Sequence, residues 1–443
     1  MLRQDHDKRT ARPRTVTQTA LPARGAGAFQ LDNCGLGPSP KAISGSEPSE
    51  MIAVSAADAS TAVDVLAASL RQGKFAVFTL AYDLGLALEP RLAGRLRNFA
   101  EPLVWVALYD SVRVLDQAEG REFVAGPGSE VEAAPPKTSP CVQPVKPGPL
   151  AAGAATSNFD RHNYIDAVET IKELIRSGET YQVNLTQKLG FEFARGCAAT
   201  DLYARLRRDN PARYSAYIDR GTSQVVSTSP ESFFRTRGRR IETSPIKGTI
   251  RRGSDETEDR MLRETLLTSP KDRAENTMIV DLLRNDLGRV CEYGSVTVER
   301  LCEIERHPTL FHLVSTVSGK LKERAGIAEI LKALFPCGSI TGAPKPRTME
   351  LIDDLERAPR GLSMGAIGYS VPVGFSEHLE PGLEVAVAIR TVVVRDGHAE
   401  FNVGGGVVID SDPEAEYKES LLKAAAILRA AGIDRIEPAA RRI

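Results

Sequence analysis

Two stretches of the chain carry paired acids at helical spacing. Ser269-Pro270-Lys271-Asp272 sets a capping serine before a proline at the first helical position, and Asp272 and Glu275 follow at i, i+3 on one face. Ser411-Asp412-Pro413 repeats the device, with Glu416 and Glu419 again three apart. Acids favour helix N-termini through the macrodipole, which accounts for each pair singly. Two such pairs in a chain without acidic excess point to a shared purpose. Converging carboxylates repel one another unless a divalent cation sits among them. All-oxygen ligation suits Mg²⁺, which keeps waters and borrows ligands from an anionic substrate.

Other residues offer complementary chemistry. Lys247, in Ser244-Pro245-Ile246-Lys247-Gly248-Thr249, is either a solvated loop lysine or a nucleophile, the latter if desolvated or held beside other cations. Glu231 sits on a proline turn, Ser229-Pro230-Glu231, and becomes a general acid if burial raises its pKa. The run Gly338-Ser339-Ile340-Thr341-Gly342-Ala343-Pro344-Lys345 resembles a phosphate loop only superficially, because Pro344 stands where that motif needs Gly before Lys. Its hydroxyls, Ser339 and Thr341, could still hold a carboxylate beside amides freed by Gly342. Arg390 ends an apolar strand and is either a second carboxylate binder or a salt-bridged arginine. Gly404-Gly405-Gly406 lacks dinucleotide-site spacing and suits a backbone that approaches a ligand or turns tightly. His312 reads equally as a core histidine or a catalytic one.

The elements that must position these residues are set in a chain of 443 residues with 57 Lys+Arg against 58 Asp+Glu. That balance gives no global electrostatic reason for a nucleic-acid or membrane partner. Hydrophobic residues at 42% and charged residues at 26% indicate a soluble globular protein, and no apolar run reaches the roughly 20 residues of a membrane span. Six cysteines (Cys34, Cys141, Cys197, Cys291, Cys302, Cys337) show no C-x-x-C pair, consistent with reduced thiols in a cytoplasmic protein. Residues 1–50 read as a poorly ordered tail without a signal core, 51–124 as a first region with strands at 75–82 and 103–109, and 125–157 as a Pro/Gly/Ala-rich linker. Residues 158–435 read as the main domain, expected to be the catalytic one because it carries the candidate residues above, with strands near 181, 224, 295, 384 and 400 and helices near 204, 272, 327, 347 and 414. Strands outnumber helices without alternating with them, which predicts an α+β fold with largely antiparallel sheets.

Taken in order, several blocks carry a resemblance: Ser229-Pro230-Glu231, Pro245-Ile246-Lys247-Gly248-Thr249, Ala274 through Asp286, His312-Leu313-Val314-Ser315, Gly338 through Lys345, Ala366-Ile367-Gly368-Tyr369, Ile389-Arg390-Thr391, and Glu416 through Lys423. Over residues 158–428 the chain resembles the chorismate-utilising enzymes of the anthranilate synthase component I family, and the stretch from Tyr82 to Pro90 is similar to that family's N-terminal region. The resemblance implies a two-sheet sandwich flanked by helices. It also implies an Mg²⁺ held by Glu275 and Glu419, with Asp272 and Glu416 acting through water. By the same resemblance Ser339, Thr341, Arg390, Lys423 and the backbone of Gly404, Gly405 and Gly406 bind substrate, and His312 is an active-site histidine. Isochorismate and salicylate synthases carry a water-activating Lys at the position matching Gln182, and anthranilate synthases carry Ala at that of Lys247. Gln182 together with Lys247 therefore resembles the aminodeoxychorismate synthase component I branch. In that branch Lys247 adds covalently to chorismate, Glu231 donates the proton to the departing hydroxyl, and ammonia displaces the lysine. A separate glutamine amidotransferase subunit then supplies ammonia, and a downstream aminodeoxychorismate lyase consumes the product. Anthranilate synthase component I is the nearest alternative, and a non-catalytic ligand-sensing relative is the alternative of another class. One departure is Ser363, in Arg360-Gly361-Leu362-Ser363, where many relatives have Tyr.

Overall fold

The computed structural model describes residues 25–36, 40–133, 147–307, 310–356 and 358–438. Two large sheets, of 13 and 10 strands, make up the framework, and every strand pairing among the described residues is antiparallel except that of Ile436–Pro438 with Ala155–Ser157. Their inner faces meet as a sandwich: Val183 and Leu185 of the larger sheet share one core with Phe233, Val385 and Val387 of the smaller. At the other end, Phe29 and Ile43 pack with Phe75, Val77 and Trp105. The strand Phe75–Leu80 is buried at all six positions, as expected of a strand covered on both faces. The α+β sandwich is as expected, and the strands and helices anticipated from residue 75 onward all form, with ends shifted by a few residues.

Two expectations about organisation need correction. Order does not wait for residue 51. Phe29–Asp32 and Lys41–Gly45 are strands of the larger sheet, paired with each other and, through Phe29–Asp32, with Tyr214–Asp219. Burial of Phe29 and Ile43 against Phe75 and Tyr109 secures them, each large side chain worth about 2 kcal/mol. Residues 1–24 and 37–39 lie outside the described residues. The supposed linker contains the strands Ser129–Ala133 and Ala155–Ser157, and residues 134–146, with Cys141, lie outside the described residues. The early region is also no separate unit, because Phe75–Leu80 pairs directly with Ala366–Val371. The five described cysteines are free thiols.

The helices anticipated from their first residues start as read, with one change of cap. Ser269 accepts from the Asp272 amide (3.3 Å) and Pro270 opens the helix Pro270–Val290. In the second helix, Pro413–Ala431, the cap is Asp412, which accepts from the Ala415 amide at 2.8 Å. Ser411 instead donates its hydroxyl to Glu416 Oε1 at 2.7 Å.

Candidate active site

Lys247 lies on the strand Ile246–Arg251, at the edge of the smaller sheet beside Leu310–Lys320. Gly248 follows at φ +83°, a conformation a β-carbon resists, and the strand register shifts there. Such an irregularity re-aims a side chain, and here it also brings the backbone against the first acid helix. A β-carbon on Gly248 would stand 2.9 Å from Asp272 Cγ. The half-buried Lys247 ammonium thereby acts electrostatically on three carboxylates from three elements: Glu231, Glu275 and Glu419.

Glu231 is 6% exposed, and burial pushes its carboxyl above the usual range. The pull of Lys247, the Ser339 hydrogen bond, Arg390 and Lys423 opposes that shift without cancelling it. Its Oε1 is buried and has no hydrogen-bond partner among the described residues. A carboxyl with a raised pKa and one oxygen uncommitted is equipped to give a proton to a bound molecule. Ser339 is buried on the turn Gly338–Ile340, 3.3 Å from Cys337 Sγ.

The two acid helices converge. Burial raises the pKa of Glu275, and Asp272 and Glu419 add to the rise while Lys247 and Lys271 oppose it. Glu416 is likewise raised by burial and by Glu419, against its hydrogen bond from Ser411. For Glu419 burial works upward, but Lys423, Lys271 and Lys247 together hold it below the usual range. Lys423 is 2.8 Å from Glu419 and donates to the Gly404 carbonyl at 2.8 Å; Lys271 lies 3.9 Å from Glu275. Gly405 makes room for this assembly, since a β-carbon there would come 3.1 Å from Glu416 Oε2, 3.5 Å from Lys423 Nζ and 3.8 Å from Glu419 Oε1.

Among the described residues no three His, Cys, Asp or Glu side chains are drawn together at metal-ligand spacing. The donor set nonetheless suits a hard dication. It consists of carboxylate oxygens on two helices, in which Asp272 and Glu419 raise the pKa of Glu275 and Glu419 raises that of Glu416. The acids fit the ion in the chemistry of their donor atoms.

Arg390 completes the cationic side. Burial lowers its pKa, Glu231 opposes this, and its backbone takes φ +50°, a strained conformation for a non-glycine residue. His312 is 5% exposed, and its imidazole pKa is pushed down to about 4 by burial, then by His307 and Arg390, with Glu305 pulling the other way. Gln182 is fully buried, and neither its amide oxygen nor its nitrogen has a partner among the described residues. It lies beside Gly406, where a β-carbon would meet Gln182 Nε2 at 2.8 Å. Thr341 behaves otherwise. Its hydroxyl is spent inside its own turn, on the carbonyls of Cys337 (3.0 Å) and Gly338 (3.3 Å), so it shapes the loop and offers no free donor. Ser363 is buried and accepts from the Asn402 backbone amide at 2.8 Å, beyond the end of the ladder between Thr391–Arg395 and His398–Val407.

One contributor escaped the reading of spacing. Lys271 was visible only as part of a helix start, although its i, i+4 relation to Glu275 is a usable signal. Lys345 turns out to be structural, donating to Asp286 Oδ2 and the Leu334 carbonyl, both at 2.7 Å.

Comparisons with known proteins agree with this fold. The chain is 37% identical over 367 residues to aminodeoxychorismate synthase component 1 of Bacillus subtilis (strain 168), covering 80% of this chain and 76% of that protein. It is 42% identical over 274 residues to anthranilate synthase component 1 of Aquifex aeolicus (strain VF5), covering 62% of this chain and 54% of that one. Among solved structures, anthranilate synthase component I from Streptococcus pneumoniae TIGR4 superposes with a TM-score of 0.70 at 26% identity, covering 95% of each chain. The family described as chorismate binding enzyme matches residues 30–429, and the chain belongs to that family as a chorismate-utilising enzyme.

Proposed function

We propose that this enzyme converts chorismate and ammonia to 4-amino-4-deoxychorismate, working in the cytoplasm with a glutamine amidotransferase subunit that supplies the ammonia. The observation that carries the reading is the position of Lys247, a primary amine acting on Glu231 and on acids of both helices at once. Glu275 and Glu419 would hold Mg²⁺, with Asp272 and Glu416 acting through water. When bound, the ion supplies charge neutralisation for a ring carboxylate. Arg390, Ser339 and the Gly404–Gly406 backbone bind and orient the two carboxylates of the substrate. As a free base, Lys247 Nζ forms a bond to C2 while both ring double bonds shift and the C4–oxygen bond breaks. Glu231 gives its proton to that oxygen, which leaves as water. Ammonia then bonds to C4, the shift reverses, the C2–nitrogen bond breaks, the amine returns to Lys247, and a proton from the new C4 ammonium restores Glu231. Dividing one displacement into two is the gain of covalent catalysis. The enolpyruvyl group stays in place, so a separate lyase must remove it to give 4-aminobenzoate.

The identity to anthranilate synthase component 1 supports a second reading, in which the same site makes anthranilate. Incubation with chorismate, Mg²⁺ and ammonium separates the two. 4-Aminobenzoate appearing only after an aminodeoxychorismate lyase is added supports the proposal, and anthranilate formed without lyase refutes it. Intact mass spectrometry should trap an adduct on the wild-type chain but not on Lys247→Ala, which should lose normal turnover.

A further inference from the structure

Thr249 and His312 face each other directly across the antiparallel pair Ile246–Arg251 and Leu310–Lys320. The Thr249 hydroxyl lies 2.8 Å from His312 Nδ1. Threonine is stiff at χ1, so the backbone register largely fixes where that oxygen stands. On the other side, the His307 ring meets the His312 ring edge-on, with centroids 5.0 Å apart and planes at 71°, and His307 Nε2 is in turn 3.4 Å from Glu305. The imidazole is thus clamped between an aromatic edge and, at Nδ1, the hydroxyl of Thr249, which lies two residues in sequence from Lys247.

A neutral imidazole carries one N–H, and the group bonded to one nitrogen decides what the other presents. His312 shares its surroundings with Arg390, and Arg390 with Glu231, in a site whose cations suit a dicarboxylate. An imidazole lone pair turned toward such an anion would repel it, whereas an N–H would bind it. We propose that Thr249 is a positioning residue: its hydroxyl donates to His312 Nδ1, locks the Nε2–H tautomer, and so makes His312 a neutral hydrogen-bond donor toward the anionic substrate. This rests on the reading that His312 faces chorismate, and it holds for either product.

The test compares Thr249→Val, which keeps the shape and removes the hydroxyl, with Thr249→Ser, which restores it. In ¹⁵N-histidine-labelled protein without substrate, the resonances of His312 are identified by their loss in His312→Gln, among the six histidines of the chain. The Nε2–H tautomer is expected in the wild type and in Thr249→Ser, and a mixture of tautomers in Thr249→Val. Chorismate consumption, measured without regard to product, should show kcat/KM down about tenfold in Thr249→Val, the worth of one hydrogen bond, and largely recovered in Thr249→Ser. An Nδ1–H tautomer in the wild type overturns the inference. So does a Thr249→Val enzyme with unchanged tautomer, or one with a changed tautomer and undiminished kcat/KM. The spectrum does not depend on turnover, so failure of the proposed reaction and failure of this inference give different results.

Discussion

Replacing His312 by Asn should flatten the acid limb of the protein's stability, and the size of the effect follows from the burial of one ring. The imidazole is pushed from 6.5 down to about 4 in the folded chain. In the unfolded chain it returns to the ordinary value, so the unfolded state binds the extra proton first as pH falls. The stability this site contributes is complete above about pH 6.5 and declines as pH drops toward 4; below that both states are protonated and nothing more is lost. A difference of about 2.5 units corresponds to about 3 kcal/mol in full, of which about 2 kcal/mol is gone by pH 5. Urea unfolding of wild type and His312→Asn at about pH 8 and pH 5 measures it. The variant starts lower, because the Thr249 hydrogen bond and the ring packing are lost, but its drop between the two pH values should be smaller by about 2 kcal/mol. Carboxylates that titrate in the same range contribute to both proteins and cancel in the comparison. Equal drops in the two proteins would mean that the folded ring takes up its proton near the ordinary pH, and the reasoning about its burial beside His307 and Arg390 would be wrong.

Two further substitutions probe the scaffold around the acids. Gly405→Ala puts a methyl 3.1 Å from Glu416 Oε2 and 3.8 Å from Glu419 Oε1, both ends of side chains that can move slightly, so the protein should fold but need about tenfold more Mg²⁺ for half-maximal turnover. Gly404→Ala is the contrast: its β-carbon would meet the Leu185 carbonyl at 1.9 Å, a backbone atom that cannot yield, and loss of soluble protein or a large fall in melting temperature is expected. An unchanged Mg²⁺ requirement in Gly405→Ala argues against these acids as ligands. Lys345→Met leaves Asp286, 5% exposed and raised in pKa by burial, without its cation, at a cost of about 3 to 5 kcal/mol in denaturant unfolding. Pairing it with Asp286→Leu should recover most of that loss, and no recovery would show that the pair was not the source.

How much of this was legible in the sequence depended on how local the cause was. Ser269-Pro270 and Asp412-Pro413 set helix starts through contacts within a turn, and the acids of each pair inherit their common face from helical periodicity alone. The strand Phe29–Asp32 was missed because four residues give too short an alternation to register, and its place comes from Tyr214–Asp219, far along the chain. The choice between Ser411 and Asp412 as cap turned on where Glu416 Oε1 points, which no spacing reveals. The site itself sits at the far end of this scale. Glu231 comes from the strand side of a proline turn, Lys247 from an edge strand kinked at Gly248, and Glu275 and Glu419 from helices that meet only once both sheets are assembled. Residue types show which groups can do the chemistry, because a lysine, a buried acid and oxygen ligands have few other uses in combination. Whether they act together is a property of strand register, and Thr249 illustrates the difference. Its side chain acquires a role from the single fact that position 249 lies opposite position 312. A slip of one residue would turn the hydroxyl to the other face of the sheet and leave the imidazole free to choose its own tautomer.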